Sequence, residues 1–300
     1  MEFLPKPART AVVRSAFAIT GTPSAALKVS DITLTSAEVD PVAISTTVDS
    51  RINSPSAPES GLPAPNLPDS PVAEACATGF TATPVAAAMV ELTLVAPCSP
   101  GAEVLFSHAG LVFSEMVGED GRALVMVPAL RASATFEAAI PAGKTLSVTT
   151  SVESLPLYRR TVLLTTTADG LELHAREFGA EYGAEGHVWS GARRGIEAVT
   201  QRTGGFMVSL GNGGGADGYR ADVYTFPRAL QGDTDPFELS LEAEISGLNC
   251  GREIDARVLS LDAASKLVTT DVTLSVPGCD AIGDFLVLKY PPQDLTVAAR

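Results

Sequence analysis

Between Leu171 and Arg194 the chain reads LELHAREFGAEYGAEGHVWSGARR, and most side chains able to do chemistry are gathered there. The stretch holds two of the three histidines (His174 and His187), the only tryptophan (Trp189), Tyr182, and the carboxylates Glu177, Glu181 and Glu185. Imidazole nitrogens and carboxylate oxygens bind Zn2+ and similar ions, so His174, Glu177 and His187 are a candidate ligand set for a metal-dependent hydrolase. Their spacing fits no established metal pattern. If Leu171 to Phe178 is a strand, alternation also sends His174 and Glu177 to opposite faces. His187 and Trp189 share a face of any following strand. With Tyr182 they form an aromatic patch of the kind that contacts a partner or ligand. The same rings also suit a structural loop closed by Trp189 and Tyr182.

The other chemical motifs are weaker. Gly213 to Gly218 (GGGADG) fits G-x-G-x-x-G, but the strand-like YRADVY follows it. No helix N-terminus is therefore expected to receive a pyrophosphate, and a hairpin loop is the better reading. The loop also lacks the alternating carboxylates and closing Glu of a calcium-binding EF-hand. No nucleophile elbow, P-loop or H-E-x-x-H occurs in the sequence. His108 falls within a strand and reads as a partly buried sheet residue. The expectation is a non-catalytic protein that needs no cofactor.

The elements that must position these residues are strands. Ala, Val, Thr, Gly and Pro are plentiful and Lys is scarce, a mix that favours strands and turns over long helices. Of the 300 residues 45% are hydrophobic, enough for a substantial core. Asp+Glu number 35 against Lys+Arg 21, a formal charge of −14. That balance argues against nucleic-acid binding, which needs a clustered basic face, and against adhesion to anionic lipid. Its simplest physical consequence is solubility. Cys76, Cys98, Cys250 and Cys279 form two sequence-local pairs, each enclosing a strand-rich segment, with no CxxC. Paired as Cys76–Cys98 and Cys250–Cys279 they would each contribute about 3 kcal/mol. They would also place the chain in an oxidising compartment.

In chain order, residues 1–30 read as a degraded secretory signal or short anchor, with Lys6 and Arg9 before an apolar run that Arg14 interrupts. Residues 31–75 read as a disordered Pro/Ser/Ala-rich linker, because repeated proline denies helix and central strand alike. Residues 76–152 are expected to form a small antiparallel β-sandwich. Within it, Gly118 to Gly121 is expected to make a hairpin turn. Residues 153–300 are expected to form a second sandwich. There Arg160 to Thr167 and Leu171 to Phe178 should pair as a hairpin across Asp169-Gly170. Phe237 to Ile245 (FELSLEAEI) shows the cleanest alternation, predicting a buried apolar face and a wet acidic face. The one helix of note is expected over Arg194 to Arg202.

Several blocks carry a resemblance: AAAMV at 86–90 with APC at 96–98, LELH at 171–174, EFGAEYG at 177–183, GHVW at 186–189, NCGRE at 249–253 and FLVLK at 285–289. Over roughly 76–298 the chain resembles a family of uncharacterised extracytoplasmic bacterial proteins often labelled "translocase". The resemblance implies an N-terminal anchor, a Pro/Ala-rich linker and a periplasmic body, possessing no implied activity. The chain departs from it in its weak N-terminal apolar run. The label finds no support in a nucleotide site or a helical channel.

The sequence thus predicts an all-β protein: two antiparallel sandwich-like domains behind a disordered N-terminal segment. It would be periplasmic or otherwise extracytoplasmic, with an inner-membrane anchor at the N-terminus. The expected role is a binding or assembly module for an unidentified envelope protein or ligand through Tyr182, His187 and Trp189. The alternatives are the metal-dependent hydrolase above and a structural spacer.

Overall fold

Strand alternation governs the chain from its first described element. In the computed structural model, residues 76–298 are described apart from 142, 167–168, 212–217, 233–235, 263 and 291–294, and residues 295–298 by backbone alone. The expected signal (1–30), the linker (31–75) and the glycine loop before Gly218 lie outside the described residues. The described part is all-β, with antiparallel pairing throughout.

The first body contains β1 (Gly79–Val85), β2 (Met89–Val95), β3 (Glu103–His108), β4 (Leu111–Met116), β5 (Arg122–Pro128), β6 (Ser133–Ile140) and β7 (Lys144–Ser151). A three-stranded sheet, β1-β2-β5, and a four-stranded sheet, β4-β3-β6-β7, share one core. In β6, Ala134, Phe136, Ala138 and Ile140 are buried and every intervening residue is exposed. In β2 the predicted Val90, Leu92 and Leu94 face is buried. Phe106 and Phe113, paired across β3 and β4, stack at 5.4 Å. Gly118–Gly121 does turn the chain, but β4 and β5 belong to different sheets. The expected hairpin is therefore a corner between layers. Gly121 has φ +71°, and a β-carbon there would lie 2.6 Å from Cα of Pro97, so the corner needs glycine.

The second body contains β8 (Tyr158–Thr166), β9 (Leu171–Glu177), β10 (His187–Val188), β11 (Phe206–Leu210), β12 (Tyr219–Pro227), β13 (Phe237–Glu244), β14 (Glu253–Leu261), β15 (Leu267–Ser275), β16 (Phe285–Tyr290) and β17 (Leu295–Ala298). They form two five-stranded sheets, β11-β12-β8-β14-β15 and β10-β9-β13-β16-β17. The helix expected over Arg194 to Arg202 is reduced to α1, Glu197–Thr200.

The expected β8–β9 hairpin is not formed, because β8 and β9 lie in different sheets. The link between them is a capped corner. Asp169 Oδ2 accepts from the Thr166 hydroxyl at 2.6 Å, and the Asp169 carbonyl accepts from Asn249. Burial explains the topology. Val162 packs in the first body's core, whereas Leu163 packs in the core between the two five-stranded sheets. Similarly, β12 gives Val223 to one core and Tyr224 to the other. The sheet carrying β8 and β12 is thus buried on both faces at its centre, and its strands read as continuous apolar runs. The residue 152/153 division falls just after β7, with apolar packing running across it.

Arg160 fastens this contact. It is 1% exposed. It donates to the carbonyls of Ala87, Ala88 and Ala129 and to Thr225 Oγ1. Ala87 and Ala88 have φ of 56° and 53°, a left-handed conformation costing roughly 1 kcal/mol or more per residue without Gly. The guanidinium holds that turn's carbonyls, and burial lowers its pKa to about 9.

Both expected disulfides are present, Cys76–Cys98 and Cys250–Cys279. Among the described residues no helix is long and apolar enough to cross a membrane.

Candidate functional site

The His/Trp stretch lies on the outer face of β9 and the segment that follows. Alternation on β9 buries Leu171, Leu173, Ala175 and Glu177 inward and turns Glu172, His174 and Arg176 outward. Register with β13 sets Glu242 beside Glu172, Ser240 beside His174 and Glu238 beside Arg176. Register with β10 sets His187 beside Arg176. The outer face of β13 is not the wet surface its alternation predicts. Ser240 and Glu242 are each 6% exposed, because the 178–186 loop folds over them.

Tyr182 closes that loop. Its hydroxyl donates to Glu242 Oε1 at 2.8 Å. Its ring meets His187 edge-on at 4.9 Å, and Arg176 lies 5.1 Å from its centroid. Burial, the hydrogen bond and the charge of Glu242 push the phenol up to about 12. Tyr182 nevertheless keeps 52% of its surface exposed, and neighbouring Phe178 keeps 61%. Phe178 sits at φ 53°, an unusual conformation for an aromatic residue.

The two histidines are in direct contact, and the backbone assigns their protons. The Gly183 N–H donates to Nδ1 of His187 at 3.0 Å. Neutral His187 must then carry its proton on Nε2, which lies 2.8 Å from Nδ1 of His174. That leaves His174 protonated on Nε2, which faces Glu172 Oε2 at 3.9 Å. Glu242 Oε2 lies 3.8 Å from His174 Nδ1. Burial opposes ionisation of Glu172, but donation from His174 and Ser190 and the charge of Arg220 outweigh it and lower its pKa. Burial lowers the pKa of His187.

Trp189 covers the pair. Its ring stacks on His174 at 5.0 Å and lies 6.0 Å from His187. A tight turn follows, with Trp189 and Ala192 exchanging backbone bonds. A β-carbon on Gly191 would lie 2.5 Å from Cζ2 of Trp189, so the indole packs directly on that glycine. Tyr182, His187 and Trp189 therefore form one cluster, with Tyr182 supplying the exposed ring.

The metal reading is corrected by this geometry. Glu177 is on the opposite face of β9 from His174. It is 1% exposed and accepts from Arg194 at 2.7 Å, Tyr224 at 2.7 Å and the Gly205 N–H at 2.8 Å. Burial and the Glu177 carboxylate raise the Tyr224 pKa. Among the described residues no three His, Cys, Asp or Glu side chains converge as a metal set. The Ser190 and Ser240 hydroxyls donate to Glu172 and Glu242, and neither is directed at an imidazole. Glu181 and Glu185 are exposed.

His108 is a sheet residue, fully buried rather than partly. Its Nδ1 faces the Thr135 carbonyl at 2.8 Å, and its Nε2 accepts from the Leu130 N–H at 2.9 Å. Burial lowers its pKa to about 4.

Sequence reasoning missed Glu172, Gly183, Ser190, Ser240 and Glu242 as parts of the cluster. Alternation could have found Glu172, two residues from His174. Ser240 and Glu242 enter only through the β9–β13 register, for which the sequence carries no local signal.

No known family profile matches the chain, and no curated protein is significantly similar to it. Among solved structures it has a likeness to one described as "Ca2+-stabilized adhesin helps an Antarctic bacterium reach out and bind ice". The identity is 14% and the TM-score 0.17, over 72% of this chain and 69% of that one. A likeness that remote carries no argument here.

Proposed function

We propose that the chain is a non-catalytic binding or assembly module of the bacterial envelope, working in the periplasm. The outer face of the β9 sheet, with Tyr182 at its centre, is its contact surface. One observation carries this reading: Tyr182 stands exposed on a loop that hydrogen bonds to Glu242 and His187 fasten to the sheet, with Phe178, beside Phe226, exposed where the loop begins. Exposed aromatics fixed in place lose little conformational entropy on contact, as binding hot spots require. The two disulfides fit an oxidising compartment, and the family resemblance supplies the envelope and the N-terminal tether.

The spacer reading has one observation in its favour, the packing of Trp189 between His174 and Gly191. Trp189→Ala would disturb that packing, so the exposed rings are the cleaner probes. A photoreactive phenylalanine analogue at position 178, in whole cells, should give a crosslinked adduct that Tyr182→Ser removes. The same analogue at Leu248, 70% exposed in the turn between β13 and β14, is the control. Adducts at both positions, or at neither, would defeat the proposal.

A further inference from the structure

The sheet carrying β8 and β12 meets the first body with one face, and that face is not covered to its end. Val162 of β8, Ala221 and Val223 of β12 and Leu259 of β14 are buried there in the first body's core. The cover stops at the β3–β4 turn, where a β-carbon on Gly110 would lie 3.6 Å from Leu259 Cδ1. Alternation sends Leu164, Tyr219 and Arg257, each two residues further along its strand, to the same face. A cleft of about 420 Å3 opens over them, with Gly110 and Val112 on the first body's side.

The polar side of the cleft is built from cross-strand pairs of β14 and β15. Arg257 Nε donates to Asp271 Oδ1 at 2.7 Å, and the Thr273 hydroxyl donates to Asp255 Oδ1 at 2.7 Å. A carboxylate accepts about four bonds and a guanidinium donates about five, so both pairs keep capacity for a ligand. The other side is apolar, from Val112, Leu164 and the ring of Tyr219, which is 52% exposed. This mix selects against charge. An anion meets the carboxylates of Asp255 and Asp271, and a cation meets Arg257. A neutral polyol meets neither penalty, because each hydroxyl both donates and accepts. The C–H face of a sugar ring also suits an amphipathic tyrosine ring and an aliphatic wall.

We infer that this cleft binds a neutral saccharide. A sugar ring lies against Tyr219 and Leu164, its hydroxyls donating to Asp255 and Asp271 and accepting from Arg257. The Arg257–Asp271 pair stays intact and holds both side chains in place, so little of their freedom is lost on binding. The volume is at the lower end for ligand clefts and suits about two sugar rings. Apolar walls with a few polar groups on one side are the usual make-up of such sites. The cleft is independent of the Tyr182 face, which belongs to the other five-stranded sheet.

The test uses the intact, disulfide-bonded protein and three neutral disaccharides: cellobiose, maltose and diacetylchitobiose. Charged relatives, cationic chitobiose without its acetyl groups and anionic cellobiuronic acid, are the comparison. Backbone amide NMR should show residues 164–166 and 255–257 shifting with at least one neutral disaccharide, with a Kd on the order of 1 mM. Tyr219→Ala and Asp255→Asn should each weaken that sugar about tenfold, with Tm unchanged because both side chains are exposed. Tyr182→Ser should bind it normally, which separates this cleft from the proposed contact face. The inference is overturned if none of the three shifts these amides at about 20 mM. Binding of either charged relative as tightly as the best neutral sugar would also overturn it, as would undiminished binding to both Tyr219→Ala and Asp255→Asn.

Discussion

Nε2 of His187 donates to Nδ1 of His174 across 2.8 Å, and the direction of that bond is dictated by a third group, the Gly183 N–H on the far nitrogen of His187. Donation runs from a loop backbone through two imidazoles toward Glu172. The bond from Gly183 that helps fasten the Tyr182 loop to the sheet therefore holds only while Nδ1 of His187 is unprotonated.

Acid should therefore loosen this loop. Burial lowers the pKa of His187 below its ordinary 6.5 and that of His108 to about 4. Below pH 6.5 the unfolded chain binds protons that the folded chain resists. Stability is thus full above that pH and declines as pH falls toward the folded values. His108, 2% exposed, accounts for about 3 kcal/mol of the loss between pH 6.5 and 4. Urea denaturation at pH 7.5 and 5 measures the slope. Fluorescence of Trp189, the sole tryptophan, should change with a midpoint below 6.5 that His187→Gln abolishes. A flat profile between pH 7.5 and 5 would count against the sign.

Arg160→Met should cost about 3 kcal/mol or more, because several buried carbonyls lose a charged donor together. Arg160→Lys should recover part of this, since an ammonium reaches fewer of them. Equilibrium denaturation compares the two. A loss below about 1 kcal/mol for Arg160→Met would mean the Ala87–Ala88 turn holds itself.

Strand positions were legible because alternation is a local property. Ser133–Ile140 shows it residue by residue, and so does the apolar face of Phe237–Glu244. Sheet membership was not legible. Gly118–Gly121 and Asp169-Gly170 have the composition of hairpin turns, yet both are corners between sheets, and at Asp169-Gly170 the choice follows distant packing around Val162 and Leu163. The same limit applies to the site. His174, His187 and Trp189 stand close in sequence, but the burial of Glu242 depends on a loop folding back onto β13.

Gly191→Ala should displace the indole it packs against, at a cost of about 1–3 kcal/mol. The readout is Trp189 emission together with the urea midpoint. Unchanged emission would show that the turn at 189–192 relaxes freely.

Thiol titration of the native protein should find no reactive cysteine, because all four are bridged. Reduction should lower stability by about 3 kcal/mol for each of the two loops. Four titratable thiols in protein taken from its own compartment would remove the case for an oxidising location.

The most direct measurement of the central claim is the 15N NMR of the two imidazoles at pH 7.5, because the contact face depends on the tautomers that hold its loop. The expected result is an unprotonated Nδ1 and protonated Nε2 on both His187 and His174, with a coupling between His187 Nε2–H and His174 Nδ1. A proton on Nδ1 of His187, or a charged imidazolium at that pH, would contradict the account.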